Sequence, residues 1–477
     1  MIALVAVAAL AGGPARAQES GPPPDPALPV TAAADALVHE IEQLRADQRT
    51  LRAEQQALRE QVAAQQAREA ARAQSQASAP KPSTPPVLLG FGPGGFSLRT
   101  ADDSVQLRIR SVIQADGRAY LDDTLEQQDT FLIRRARLYI EGSVGDFLDY
   151  RLMPDFAGGQ AQLFAAWVNL RPWTWLQLRG GKMKSPFGLE RLQAEQTLVF
   201  VERGLASDLA PDRDIGASLH GDVAGKTFSW ELGVFNGAPD GGSSDQDSNY
   251  GKDFEARVFA HPFRRLHNRW VDELGLGVAG TYGKQHGTAT ATGLASFKTE
   301  GQITFFSWLS DSRRGTFAHA CGDRWRLSPQ LYYYVGPVSL QGEYVYSSTN
   351  VTTGINAATI ANQAWQLEVS MVLTLEHPTY DGLKPKRPFS IARRHLGAVE
   401  LAARVDELYV NDAAFPNFAD PTRSARRATG LALQLNWYFT ANVRFALLYE
   451  RTVFKGGNGS GDRAPENAFV GRLQVAF

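Results

Sequence analysis

Ten arginines fall at alternate positions of stretches otherwise filled by Leu, Val, Ile and Phe. They are Arg108, Arg110, Arg137, Arg179, Arg257, Arg324, Arg326, Arg404, Arg444 and Arg472. A guanidinium stays charged and offers a planar fork of donors that matches carboxylate and phosphate oxygens. Rows of such groups on one face of a wall concentrate anions, and a pore made of them holds each ion weakly enough to release it. Asp116, Glu141, Glu231, Glu255, Glu343, Glu400, Asp406 and Glu450 fall on the same faces. The positive excess is therefore small, and pairing across neighbouring strands is an equally good reading for any single arginine. Covalent chemistry has no comparable support. His220 and His261 sit on polar faces but in no catalytic motif, and Cys321 is the sole cysteine, without a disulfide partner or metal-ligand spacing. The residues call for no cofactor and no catalytic site.

The elements that position these arginines are strands. At the C-terminus Phe469, Leu473, Val475 and Phe477 share one face, and Arg472 and Gln474 the other. A soluble sandwich would show the same alternation. Here the period of two recurs through most of the chain after residue 100, as a transmembrane barrel requires. A net charge of −1 gives no bias toward nucleic acid, and a mean hydropathy of −0.26 with no long apolar run excludes spanning helices. Strand starts are predicted near residues 104, 130, 147, 161, 175, 213, 226, 251, 272, 324, 337, 363, 396, 429, 441 and 466. That makes sixteen, the even count of a single-chain bacterial barrel. Short turns such as Val144-Gly-Asp146, Ala224-Gly-Lys226, Val335-Gly-Pro337 and Phe439-Thr-Ala-Asn442 alternate with long loops. The long ones are predicted at 240–249, 284–323, 350–362, 411–426 and 455–466. The connection 376–395 fits neither class cleanly.

Ahead of the barrel the composition changes three times. Residues 1–17 read as a signal peptide ending in Ala15-Arg-Ala17, and 18–31 as a Pro-rich spacer. Residues 32–72 predict an α-helical coiled coil: Leu37, Leu44, Leu51 and Leu58 repeat every seven residues, with Ile41 and Val62 but also Gln48 and Gln55 between them. A solvated single helix fits the same residues. Residues 73–95 read as a flexible Pro/Ser/Ala linker and 96–477 as the barrel.

One segment inside the barrel is out of scale. Residues 180–214 connect the fifth and sixth strands and contain Leu198, Val199, Phe200 and Val201, which need cover. A loop folded inward to narrow the lumen supplies that cover; an ordinary surface loop does not.

Several segments, in order, resemble the phosphate-selective porin O and P family. They include Gln114-Ala-Asp116, Phe131-Leu-Ile-Arg-Arg-Ala-Arg137, Lys184-Ser-Pro-Phe-Gly-Leu-Glu190, Phe200-Val-Glu-Arg203, Arg326-Leu-Ser-Pro-Gln-Leu-Tyr-Tyr-Tyr-Val-Gly-Pro337, Gly397-Ala-Val-Glu-Leu-Ala-Ala-Arg404 and Asn436-Trp-Tyr-Phe. The resemblance implies an all-β, sixteen-stranded, usually homotrimeric channel in the outer membrane of a Gram-negative bacterium, passing small inorganic anions such as phosphate. It maps Arg134 and Arg135 to the arginine pair near the constriction and Lys184 to the constriction loop. Arg137 shares the lumen face with Arg135. Strict alternation points Arg134 outward unless the strand bulges. Val112 stands where phosphate-specific relatives carry a basic residue, which weakens the expectation of phosphate specificity. The alternative is a structural barrel that ties the envelope together through a periplasmic coiled coil and has only non-selective conductance.

Overall fold

The structure, a computed structural model, describes residues 30–78, 87–92, 94–121, 128–245, 247, 251–266, 268–311 and 316–477. The expected signal peptide and nearly all of the Pro-rich spacer lie outside these residues. The chain divides into two units, 1–84 and 85–477.

The described residues of the first unit form one α-helix, Val30–Ser78, of 49 residues. Leu44, Leu51, Leu58 and Val62 are all exposed along it. Among the described residues no helix is long and apolar enough to cross a membrane.

The second unit is a closed barrel of sixteen antiparallel strands. They are β1 (Val105–Tyr120), β2 (Thr130–Val144), β3 (Leu148–Asp155), β4 (Gln162–Leu170), β5 (Gln177–Lys184), β6 (Arg213–Val223), β7 (Phe228–Phe235) and β8 (Asp253–Ala260), then β9 (Leu274–His286), β10 (His319–Val335), β11 (Val338–Thr352), β12 (Ala357–Val372), β13 (Ala398–Tyr409), β14 (Ala425–Tyr438), β15 (Val443–Asn458) and β16 (Glu466–Ala476). Each pairs with its sequence neighbour, and β16 closes on β1 from Ala468↔Tyr120 to Ala476↔Val112. Closure removes every edge among the sixteen, as a lipid environment demands. The period of two sorts the wall as predicted. Leu367, Val369, Leu401, Leu431, Leu433 and Leu473 are exposed outside, while Arg324, Arg326, Arg404 and Arg472 are buried inside.

Three expectations are corrected. The stretch 73–95 is not linker throughout: the helix runs to Ser78, and strands Val87–Gly92 and Gly95–Thr100 form a hairpin. That hairpin pairs with β1 from Phe96↔Ile109 to Arg99↔Gln106, continuing the wall beyond the end of β16. The Phe91 ring meets Phe477 edge-on, with centroids 6.5 Å apart. Secondly, the loops expected at 284–323 and 350–362 are shorter. β9 and β10 stay paired to His286↔Cys321, and β11 and β12 to Thr352↔Ala357, because these strands extend past their apolar bands. Thirdly, the connection 373–397 belongs to the short-turn side yet enters the barrel: Tyr380 Oη donates to the Leu189 carbonyl at 2.6 Å.

Candidate functional site

The long β5–β6 connection, residues 185–212, lies across the barrel interior. Three kinds of contact hold it. Leu198, Phe200 and Val201 are fully buried; Phe200 and Val201 pack on Ala402, Ala432, Ala446, Leu448 and Val470. Alanine at inward wall positions makes the berth that larger side chains would fill. Wall side chains then satisfy the loop backbone: Val201 N donates to Gln434 Oε1 at 2.9 Å, Leu205 N to Asp406 Oδ2 at 3.0 Å and Leu189 N to Glu343 Oε2 at 2.7 Å. At Gly204 the loop comes so close that a Cβ would sit 2.4 Å from Gln366 Oε1. Finally, Phe187, Leu205 and Leu209 join Phe297, Phe305 and Phe306 of the β9–β10 loop and Phe418 of the β13–β14 loop in one apolar core inside the barrel. That core fills the β9–β14 side of the interior with groups water does not wet. The loop therefore constricts the lumen, as the need to cover 198–201 suggested.

On the β1–β5 side the loop meets arginines. β2 carries a bulge: Gln114 pairs with Arg135 and Ala115 with Ile133, so Arg134 has no partner in the ladder. The extra residue turns both Arg134 and Arg135 inward, where strict alternation admits only one. Arg134 donates to both oxygens of Glu202, at 2.7 and 3.0 Å. Arg135 donates to Gln114 Oε1 at 2.7 Å and lies 3.5 Å from Glu202. Arg118 and Arg472 reach the same carboxylate at 3.1 and 2.8 Å, and both also bind Asp116. Burial opposes charge on Glu202, but Arg134, Arg135 and Arg472 outweigh it and hold its carboxyl well below the usual carboxylate range.

A second cluster adjoins the first. Arg137 binds Asp155 at 2.6 Å and Glu195 at 3.0 Å. Arg203 and Arg213 lie 3.4 and 3.3 Å from Glu195, Arg213 also binds Asp212, and Arg191 lies 4.0 Å from Asp212. The guanidiniums of Arg137 and Arg213 sit 3.6 and 3.7 Å from the centre of the Phe164 ring, a cation–π arrangement. In the two clusters together, eight arginines (Arg118, Arg134, Arg135, Arg137, Arg191, Arg203, Arg213, Arg472) surround five carboxylates (Asp116, Asp155, Glu195, Glu202, Asp212). Arg134, Arg135, Arg137, Arg191 and Arg203, with Asp155, Glu195, Glu202 and Asp212, border a cavity of about 780 Å³ on the long-loop side, which Lys298 and Asp208 also line. The Arg134 side chain, 29% exposed, is the most open of the four on Glu202. Behind the loop the balance inverts. Arg404 alone meets Glu190, Glu300, Glu368 and Asp406, all sealed from solvent.

The remaining expected residues divide. Arg110 pairs with Glu141 at 2.8 Å, Arg324 with Asp253 at 2.8 Å and Arg326 with Asp240 at 2.6 Å, so cross-strand or loop pairing absorbs them. Arg444 donates to the Leu198 carbonyl at 2.5 Å and anchors the loop. Arg257 donates to Gln330 Oε1 at 3.0 Å. Arg108 and Arg179 border a separate cavity of about 870 Å³ at the short-turn end, beside the hairpin. Lys184 is not at the bottleneck surface: its ammonium donates to the carbonyls of Leu192 and Gln193, at 3.3 and 2.7 Å, and so secures the loop. Sequence reasoning missed Glu202, Glu195, Arg118, Arg203 and Arg213. Arg118 was reachable, since it shares the face of Gln114 and Asp116; the loop acids have no period to reveal them.

A profile of the family described as phosphate-selective porin O and P matches residues 105–477, the whole barrel. The chain belongs to this family. It is thus an outer-membrane β-barrel of the porin type. No curated protein sequence matches the chain. Among solved structures, the outer-membrane channel DcaP of Acinetobacter baumannii is similar at 9% identity and a TM-score of 0.52, over 80% of this chain and all of that one. An anion-selective porin from Comamonas acidovorans is similar at 13% identity and a TM-score of 0.47, over 78% of this chain and all of that one. At such identities the first likeness carries the barrel fold and neither carries a substrate. Among the described residues of this porin, no group of three or more His, Cys, Asp or Glu is placed to hold a metal ion.

Proposed function

We propose that this porin passes small inorganic anions by diffusion, phosphate or polyphosphate among them, and that the bottleneck lies between the β5–β6 loop and the arginines of β1 and β2. The observation that carries this reading is the convergence of four guanidiniums, from Arg118, Arg134, Arg135 and Arg472, on the single carboxylate of Glu202 beside the long-loop cavity. A fixed positive field in a low-dielectric wall raises the local anion concentration, whereas charge in a wide vestibule is screened within about 8–10 Å. Guanidinium forks add a fit to phosphate oxygens. Single-channel recording in chloride, followed by added phosphate, tests it. Phosphate is expected to reduce the chloride current in a concentration-dependent way; chloride current indifferent to phosphate would leave a general diffusion pore.

The exposed leucines of the helix favour a second, compatible role: a periplasmic coiled coil that holds three copies together and tethers the envelope. A helix of this length reaches about 74 Å at 1.5 Å per residue. Deleting residues 32–72 is expected to lower the mass in mild detergent from trimer toward monomer while conductance per barrel persists. A monomeric full-length chain would contradict the trimer.

A further inference from the structure

We propose that Glu202 is a tethered counter-anion: its side chain occupies the channel's strongest oxyanion site, so that permeating anions share the guanidiniums around it and do not capture them. The inference rests on the anion-channel reading. Four guanidiniums, from Arg118, Arg134, Arg135 and Arg472, converge on this one carboxylate at 2.7–3.5 Å. Such a ring of donors is what a phosphate or a free carboxylate would require, with charge-assisted bonds on every oxygen. The site is built and not incidental. Arg134 enters it only because of the β2 bulge. The backbone that carries Glu202 is fixed from three wall strands: Val201 N donates to Gln434, Arg472 donates to the Val201 carbonyl, and Arg404 donates to the Glu202 carbonyl. The loop thus presents a carboxylate on a rigid stem to a preformed cage. The cage stays open on one side, where Arg134 borders the cavity on the long-loop side. An anion arriving there meets Arg134 while Glu202 still holds the other three groups.

The arrangement has a functional logic. An empty four-arginine cage would bind a multivalent oxyanion too tightly to release it, and conduction needs weak, shared binding. A carboxylate that cannot diffuse away lowers the affinity by occupying the donors, without removing the positive charge that attracts anions.

The test is the Glu202→Gln variant, which keeps the shape and removes the charge. Half-block of the chloride current is expected at a phosphate concentration roughly tenfold lower than in the unaltered protein, the scale of one recovered charge-assisted hydrogen bond. The reversal potential in a KCl gradient should also move further toward chloride. Should the excess of positive charge, opposed then only by Asp116 on Arg118 and Arg472, hinder assembly, Arg134→Gln combined with Glu202→Gln relieves the repulsion and still frees three donors; it too should be blocked at lower phosphate than the unaltered protein. Unchanged block in a folded, anion-selective E202Q channel overturns the inference and leaves the anion-channel reading standing. Absence of anion preference in the unaltered protein and in E202Q alike overturns both.

Discussion

At the scale of single residues, the selectivity site mixes groups of three kinds. In the proposed reading Arg134 and Arg135 face the bottleneck and Glu202 and Glu195 temper them, while Lys184 and Arg444 pin the loop by its carbonyls. Arg135 was legible because a strand has a period, and a charge on the face opposite leucines stands out; Arg134 came only from the family resemblance, since strict alternation turns it outward. The loop acids were not legible, because an irregular segment gives no face to read. Lys184 illustrates the limit: its place in the loop motif was visible, but the carbonyls of Leu192 and Gln193 that engage its ammonium lie on a turn that only the fold brings back. One residue-scale consequence is a pH dependence. Asp208, on the loop and bordering the long-loop cavity, has its carboxyl pushed up to about 7, chiefly by burial. Its neutral form is favoured, so it carries negative charge above that pH and loses it below. Anion preference is therefore expected to increase as pH falls from 8 to 6, and Asp208→Asn should flatten that dependence. Reversal potentials in a fixed salt gradient across this range check both; a dependence that survives D208N assigns it to another group.

At the scale of elements, two local irregularities make the site. The bulge at Arg134 is one inserted residue, and in sequence it shows only as two adjacent arginines where one is expected inward. The inward alanines, Ala402, Ala432 and Ala446, look unremarkable on a polar face, yet they shape the berth for Phe200 and Val201. The apolar run 198–201 did announce an inward loop, because four exposed apolar residues in a row would be costly at a wet surface. The wall it docks on was not announced, since it is assembled from strands more than 200 residues later. Filling the berth should displace the loop. Ala446→Leu adds volume where Ala446 is fully buried, at a cost of about 1–3 kcal/mol, typical of overpacking. The expected result is a barrel that still assembles, with larger conductance and weaker anion preference. Unaltered conductance in A446L would mean that the loop is held by its hydrogen bonds to Gln434, Asp406 and Glu343 and not by this packing.

At the scale of the whole molecule, the count and pairing of sixteen strands followed from period and turn spacing, because a barrel wall has one wet and one lipid face throughout. What escaped that logic lies where the wall ends. The hairpin Val87–Thr100 continues the wall beyond Phe477, but its first strand fell within the 73–95 stretch read as linker. The 373–397 connection, whose residues 376–395 fitted neither loop class, enters the lumen from the short-turn side. Together with the apolar core on the β9–β14 side, these segments support the proposal that ions pass the loop on its arginine-lined side. The central claim is that fixed positive charge on that side selects the permeating ion. The most direct measurement is the zero-current potential of the single channel in a KCl gradient, for the unaltered protein and for Arg134→Glu with Arg135→Glu. The account predicts a potential on the chloride side for the unaltered channel and a displacement toward the potassium side in the folded, conducting double variant. An identical potential in the two would contradict it and place the filter elsewhere in the barrel.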